Sequence, residues 1–204
     1  MADFNDRYGS HGKLEITVLK KLGSWEVGPS YEYFFGSTVK EDVLKRLRTP
    51  EGDLIGGDHQ LTQVDFRLRG MLIGLKVNKE LQFKHRAHSI LFGIKPGWLM
   101  HWIRFQNPGN SFEPINGVYK YGYDRFSSGW AIQENMTYRY QSASKLINFE
   151  IELSYTQGNT VLRRNIQFDQ PNLGHSKQTD GLLGITIKWI LPILKSKDPN
   201  KIYY

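Results

Sequence analysis

The sequence contains no cysteine. A disulfide scaffold, a thiolate metal site and a cysteine nucleophile are therefore excluded. Long apolar runs are missing too. The two most apolar windows are Ser89 to Phe105, broken by Lys95, Pro96 and His101, and Leu182 to Leu194, broken by Lys188 and Pro192. Neither reaches the roughly 18–20 apolar residues of a spanning helix. Met1 to Arg7 lacks the apolar core of a signal peptide, and Gly is not in second position as myristoylation requires. The expectation is a chain with no signal peptide or transmembrane segment, soluble or lying on a membrane surface. A polybasic N-terminal arm is also absent.

What is present is a basic, aromatic chain. Its 204 residues are 39% apolar and 13% aromatic, with a net charge of +7. The length suits one domain, and the aromatic content calls for a packed core. Residues 1–12 are polar and glycine-bearing and read as a flexible leader. Residues 13–204 read as a single domain.

Lys13 to Lys20 alternates, with Leu14, Ile16 and Val18 on one face of a strand. Thr38 to Glu41 fits a capping box, and Val39, Val43, Leu44 and Leu47 follow at helical spacing up to Arg48. Gly56-Gly57-Asp58 opens a second expected helix. Its stripe is Leu61, Val64, Leu68, Met71 or Leu72, and Leu75, with Gly70 and Gly74 allowing close packing. From about residue 81 the period is two. Phe83–Ile94 and Trp98–Phe105 are expected to form a hairpin about a type II turn at Lys95-Pro96-Gly97. Residues 106–129 read as a long aromatic-bearing connection. Leu146 to Tyr155 alternates, with Ile147, Phe149, Ile151, Leu153 and Tyr155 expected inward and Glu150 and Glu152 on a wet face. Gln157-Gly158-Asn159 is expected to turn the chain into a return strand over Leu162 to Phe168. Leu183 to Trp189 alternates again. The expected fold class is α+β: a mainly antiparallel sheet of hairpins with two helices near the N-terminal side.

No catalytic signature, cofactor motif or metal cluster stands out, and a non-enzymatic protein is expected. His85 and His88 fall three apart on a strand, so they point to opposite faces. The basic groups Lys45, Arg46, Arg48, Arg67, Arg69, Lys76, Lys84 and Arg86 would merge into one positive face if the two helices packed side by side. That face would attract phosphate of nucleic acid or of anionic lipid. Trp98 and Trp102 share a strand face that meets either the core, a partner or a membrane. Tyr119, Tyr121 and Tyr123 could stack on single-stranded bases.

The order of these elements resembles the matrix proteins of rhabdoviruses. The resemblance rests on Lys13 to Leu19 as the first strand, Thr38–Arg48 and Leu61–Leu75 as helices, Lys84 to Phe92 as the next strand and Asn148 to Tyr155 as a late one. It implies a self-assembling virion protein, peripheral on an anionic membrane and bridging it to ribonucleoprotein, as a homo-oligomer. Two alternatives stand beside it. One is a nucleic-acid-binding capsid or movement protein. The other is a small ligand-binding barrel or enzyme, its pocket lined by Trp98, Trp102 and Trp130.

Overall fold

A computed structural model of the chain describes residues 4–83, 87–142 and 148–191. A short helix, α1 (Phe4–Tyr8), leads into strands β1 (Gly12–Thr17), β2 (Lys20–Leu22) and β3 (Trp25–Gly36). Two short strands follow, β4 (Leu54–Ile55) and β5 (Leu61–Thr62). Five long strands complete the chain: β6 (Asp65–Gln82), β7 (His88–Gln106), β8 (Ser127–Gln141), β9 (Asn148–Leu162) and β10 (Lys177–Trp189). All but β4 and β5 join one antiparallel sheet in the order β1-β3-β6-β7-β8-β9-β10, with β2 beside β1 on the edge of β3. The sheet curls until inward side chains of its two ends meet, as where Lys188 Nζ lies 2.8 Å from Glu15 Oε2. No backbone ladder joins β1 to β10 among the described residues.

The α+β expectation is thereby corrected to a curled antiparallel sheet. The first expected helix is reduced to a 3-10 turn at Lys45–Leu47. Its intended cap is engaged elsewhere: Thr38 Oγ1 donates to the Ser10 carbonyl at 2.8 Å, and Glu41 pairs with Arg125. Long-range partners have outcompeted the local capping box. The second expected helix is mostly β6. A spacing of four is also an even number, so Leu68 and Leu72 share a strand face as readily as a helix face. Met71, Ile73 and Leu75 occupy the other face, and a strand apolar on both faces imitates a helical stripe.

Two expected turns are absent as well. β7 runs straight through Lys95-Pro96-Gly97. Pro96 has no N–H to donate, and the β6–β7 pairing is interrupted opposite it, between Gly74↔Gly97 and Val77↔Ile94. β9 runs through Gln157-Gly158-Asn159, with Gly158 paired to both Ala131 and Asp180. The expected return strand to Phe168 does not form. Instead Phe168 packs on Tyr123, and Arg164 pairs with Asp124 at 2.6 Å.

The two ends of the sheet differ. One carries the long connections 37–64, 107–126 and 163–176, and the other the short ones 23–24, 83–87 and 142–147. An apolar core fills the concave side of the curled sheet at the long-loop end. It takes Leu68, Leu72, Leu99, Ile103 and Leu182 from the strands, Val43, Leu44 and Leu54 from the first long connection, and Phe112 and Ile115 from the second. The segment expected as a loose leader contributes α1, whose Phe4 and Tyr8 are buried in this core. Their rings stand edge-on to His101 at 5.1 and 5.2 Å. Burial pushes the Tyr8 hydroxyl well above its ordinary pKa.

Arg125 ties the connections together. It is buried, lies at φ 51°, and bonds Glu41 at 2.8 Å and both Gln167 and Asp169 at 2.9 Å. Arg125→Ala should cost about 3–5 kcal/mol, because Asp169 stays buried without its counter-charge, and chemical denaturation would measure the loss. His11 supplies a pH test. Burial holds its pKa below 6.5, so the unfolded chain takes up the proton first. Stability should therefore fall as pH drops through and below that ordinary value, and His11→Gln should flatten the profile.

Candidate functional site

Strand alternation sorts the side chains into two sets, and the sets are inverted relative to a water-soluble sheet. Inward positions of β3 are Glu26, Gly28, Ser30, Glu32 and Phe34, while the outward ones are Trp25, Val27, Pro29, Tyr31, Tyr33 and Phe35. In β8 the inward set includes Gln133, Asn135, Thr137 and Arg139, and the outward set includes Trp130, Ile132, Met136 and Tyr138. β9 buries Glu150, Glu152, Ser154, Thr156 and Thr160 and exposes Ile151, Leu153 and Tyr155. β10 exposes Leu183, Ile185, Ile187 and Trp189 at 71–78%. The inward assignment of Phe149, Ile151, Leu153 and Tyr155 is thus reversed, and Ile147 lies outside the described residues. Glu150 and Glu152, expected on a wet face, are buried.

The buried charges neutralise one another. Glu32 accepts from Lys95, from Lys13 at 3.4 Å and from Gln133 at 3.2 Å. Lys76 bridges Glu15 at 3.2 Å and Glu152, and Lys188 bridges the same two carboxylates at 2.8 and 2.7 Å. Thr137 Oγ1 and Asn135 Nδ2 also donate to Glu152. Nearer the short-turn end Arg139 holds Glu26 and Glu150. Towards the long-loop end Asp180 accepts from Thr160 at 2.6 Å and pairs with Arg7 and His101. The space is tightly filled: a Cβ at Gly93 would fall 1.9 Å from Asn78 Oδ1. Among the described residues no group of three metal-ligating side chains occurs.

The outward face carries aromatic residues towards both ends. Trp98, Trp102, Trp130, Tyr33 and Phe35 lie towards the long loops, and Trp25, Tyr138, Tyr140, Phe149 and Trp189 towards the short turns. All five tryptophans of the chain are outward. Aliphatic residues such as Ile73, Leu75, Ile94, Ile132, Leu153 and Ile185 fill the zone between. Glu134 is the one charge in that zone among the described residues, between Ile94 and Tyr155. Trp98 and Trp130 stack edge-on at 5.4 Å on this outer surface, not around an internal pocket.

The expected basic face does not assemble from its parts. Lys45 and Arg46 are exposed on the 3-10 turn, and Arg48 pairs with Asp42 at 2.6 Å. Lys76 is buried on the concave side of the curled sheet. Lys84 and Arg86 lie outside the described residues. Arg67 and Arg69 do stay together, on the outward face of β6 beside the long-loop end. They are joined there by Arg104 of β7, which the sequence reading passed over. Tyr119 and Tyr121 are exposed in the second long connection, whereas Tyr123 is buried. The first four element assignments behind the viral resemblance included two helices that are not there.

No protein-family model, curated protein or solved structure matches the chain. Among the described residues, no helix is long and apolar enough to cross a membrane, a statement that does not bear on strands.

The ion pairs yield a test. Lys95→Met should destabilise the protein by about 3–5 kcal/mol by leaving Glu32 buried without its nearest cation. Adding Glu32→Gln should recover part of that loss, because the orphaned charge is gone. Urea titrations of the single and double variants would measure both effects.

Proposed function

We propose that the chain forms the wall of a membrane-embedded β-barrel with a filled, polar interior. The observation that carries this reading is the inversion of faces. Apolar and aromatic side chains dominate the outward face of every long strand from β3 to β10, where the charges other than Glu134 lie near strand ends, while mutually paired lysines, arginines and glutamates are buried inside. Water penalises such an outer surface, and hydrocarbon favours it. The strands have 12–19 residues, longer than the roughly 9–11 that a tilted strand needs to cross a bilayer. Aromatic girdles at both ends and long loops opposite short turns belong to the same architecture.

The interior suggests an anchor or scaffold more than an open pore. Lys76, Lys95, Glu32 and Glu152 are all 2% exposed or less, so the cross-section at their level is occupied. Closure needs one more element. β1 and β10 both run from the long-loop end to the short-turn end, so a single further strand antiparallel to both would seal the seam. Lipid tolerates no open sheet edge. The viral matrix and nucleic-acid readings both required one merged basic face, and the described cations expected to build it are divided among the 3-10 turn, the interior and the outward face of β6. Membrane association, expected there through surface lysines and arginines, is here assigned to the strands.

Tryptophan fluorescence tests the reading. Purified protein refolded into vesicles of brominated phosphatidylcholine should lose most of its emission relative to unbrominated vesicles, since no tryptophan is sheltered inside. Unchanged emission would refute the proposal and favour a protein partner over lipid on the outer face. Glu134→Gln should stabilise the vesicle-embedded form by about 1–2 kcal/mol, because a carboxylate facing hydrocarbon is costly. The gain should vanish in a surface bathed by water, and urea unfolding from vesicles would read it.

A further inference from the structure

Arg67 of β6 and Arg104 of β7 are direct register partners in the antiparallel sheet. Register partners project to one face, here the outward one. Like charges placed directly opposite repel, so such a pair calls for a counter-ion. Arg69 lies two residues on, paired with Trp102. Among the described residues none of the three arginines forms an ion pair. Arg67 Nε donates to Gln106 Oε1 at 2.8 Å, and Arg69 donates to the Leu68 carbonyl at 2.7 Å. A hollow of about 370 Å³ opens beside Arg67 and Arg69, lined also by Phe35 and His11. A second hollow shares Arg67 with Arg48, Asp42 and Asp65, and Asp65 stands two residues before Arg67 on the same outward face of β6.

Position decides what the counter-ion is. The arginines stand where the apolar zone of β6 and β7 ends. Met71 and its partner Met100 come next below them, followed by Ile73 and Trp98. A ligand that meets cations at one end and this strip at the other is amphiphilic, with an anionic head.

We propose that Arg67, Arg69 and Arg104 bind the phosphate headgroup of an anionic lipid, whose acyl chain lies along Met71, Met100 and Ile73. Arginine suits the task because its fork matches phosphate oxygens two at a time. Trp102 stands beside Arg69 at the depth where indole prefers the interface. The site rests on the barrel reading and adds a ligand class to it.

The experiment uses the whole protein in nanodiscs of phosphatidylcholine with a minor fraction of phosphatidic acid, counting retained lipids by native mass spectrometry. Phosphatidic acid should be enriched around the wild type. Arg67→Gln/Arg69→Gln/Arg104→Gln should lower that retention about tenfold or more. Lys20→Gln/Lys79→Gln/Lys177→Gln removes the same charge from exposed positions elsewhere and should leave it nearly unchanged. Equal retention by the arginine variant and the wild type would overturn the site while leaving the barrel reading intact. Displacement of the lipid by millimolar inorganic phosphate would show a free-anion site and overturn the lipid assignment. Binding of a single-stranded oligonucleotide through the same arginines, without lipid preference, would do the same. Failure to enter nanodiscs of either composition would overturn the barrel reading, and the site with it.

Discussion

Mutual neutralisation of buried lysines and glutamates is the constraint on which this architecture depends. Lys76 and Lys188 are each held between Glu15 and Glu152, on four different strands. A single charge left alone there would be costly enough to unfold the wall or draw water into it. Because the pairs close on one another, the polar set can face inward. The curl of the sheet brings β1 within reach of β10, and the ion pairs, together with a hydrogen bond from Lys13 to Ser154, span that gap. They therefore fix curvature as well as charge.

The outer face follows from the same arrangement. With many of its ions paired inside, the sheet is left with mainly apolar and aromatic residues on its outside, its outward charges lying near strand ends except for Glu134. In a soluble protein a second layer would cover them, as helices cover one face of an α+β sheet. Here the segments that could have supplied that layer are used differently. Residues 65–82 became the second-longest strand, and the 37–64 connection packs into the barrel mouth through Val43, Leu44 and Leu54. Nothing described remains to shield Ile185, Ile187 or Trp189. In the proposed membrane setting a bilayer would supply the missing layer at no cost in chain length, and the rim arginines would stand where its headgroups begin.

The interior is divided by chemistry along its axis. The ionic half lies towards the short turns and the apolar half towards the long loops, with His101 and Asp180 near the boundary. The apolar half gives the long connections and α1 a core to dock on, and Arg125 clamps their backs. These long loops need such an anchorage, since they have no sheet of their own beyond β4 and β5.

Much was legible in the sequence. The predominance of antiparallel strands after residue 81, the alternation at Phe149 to Tyr155, and the division of Trp98, Met100 and Trp102 from Leu99, His101 and Ile103 follow from a period of two, whereas Arg67 and Arg69, expected on a helix, meet on one face only because that segment is a strand. That period fixes which residues share a face but carries no sign, so Glu150 and Glu152 could be wet or buried with equal ease. Local capping and turn chemistry at Thr38, Pro96 and Gly158 misled for a related reason: each is a marginal preference that a long ladder or a distant partner overrides. The sequence by itself determined the two sets of side chains along β1, β9 and β10 and around Trp98 to Ile103 of β7, and the lack of any helical span. Only the tertiary structure decided which set is inside, because that choice rests on whether lysines of one strand find glutamates of another, and no local pattern records such a meeting.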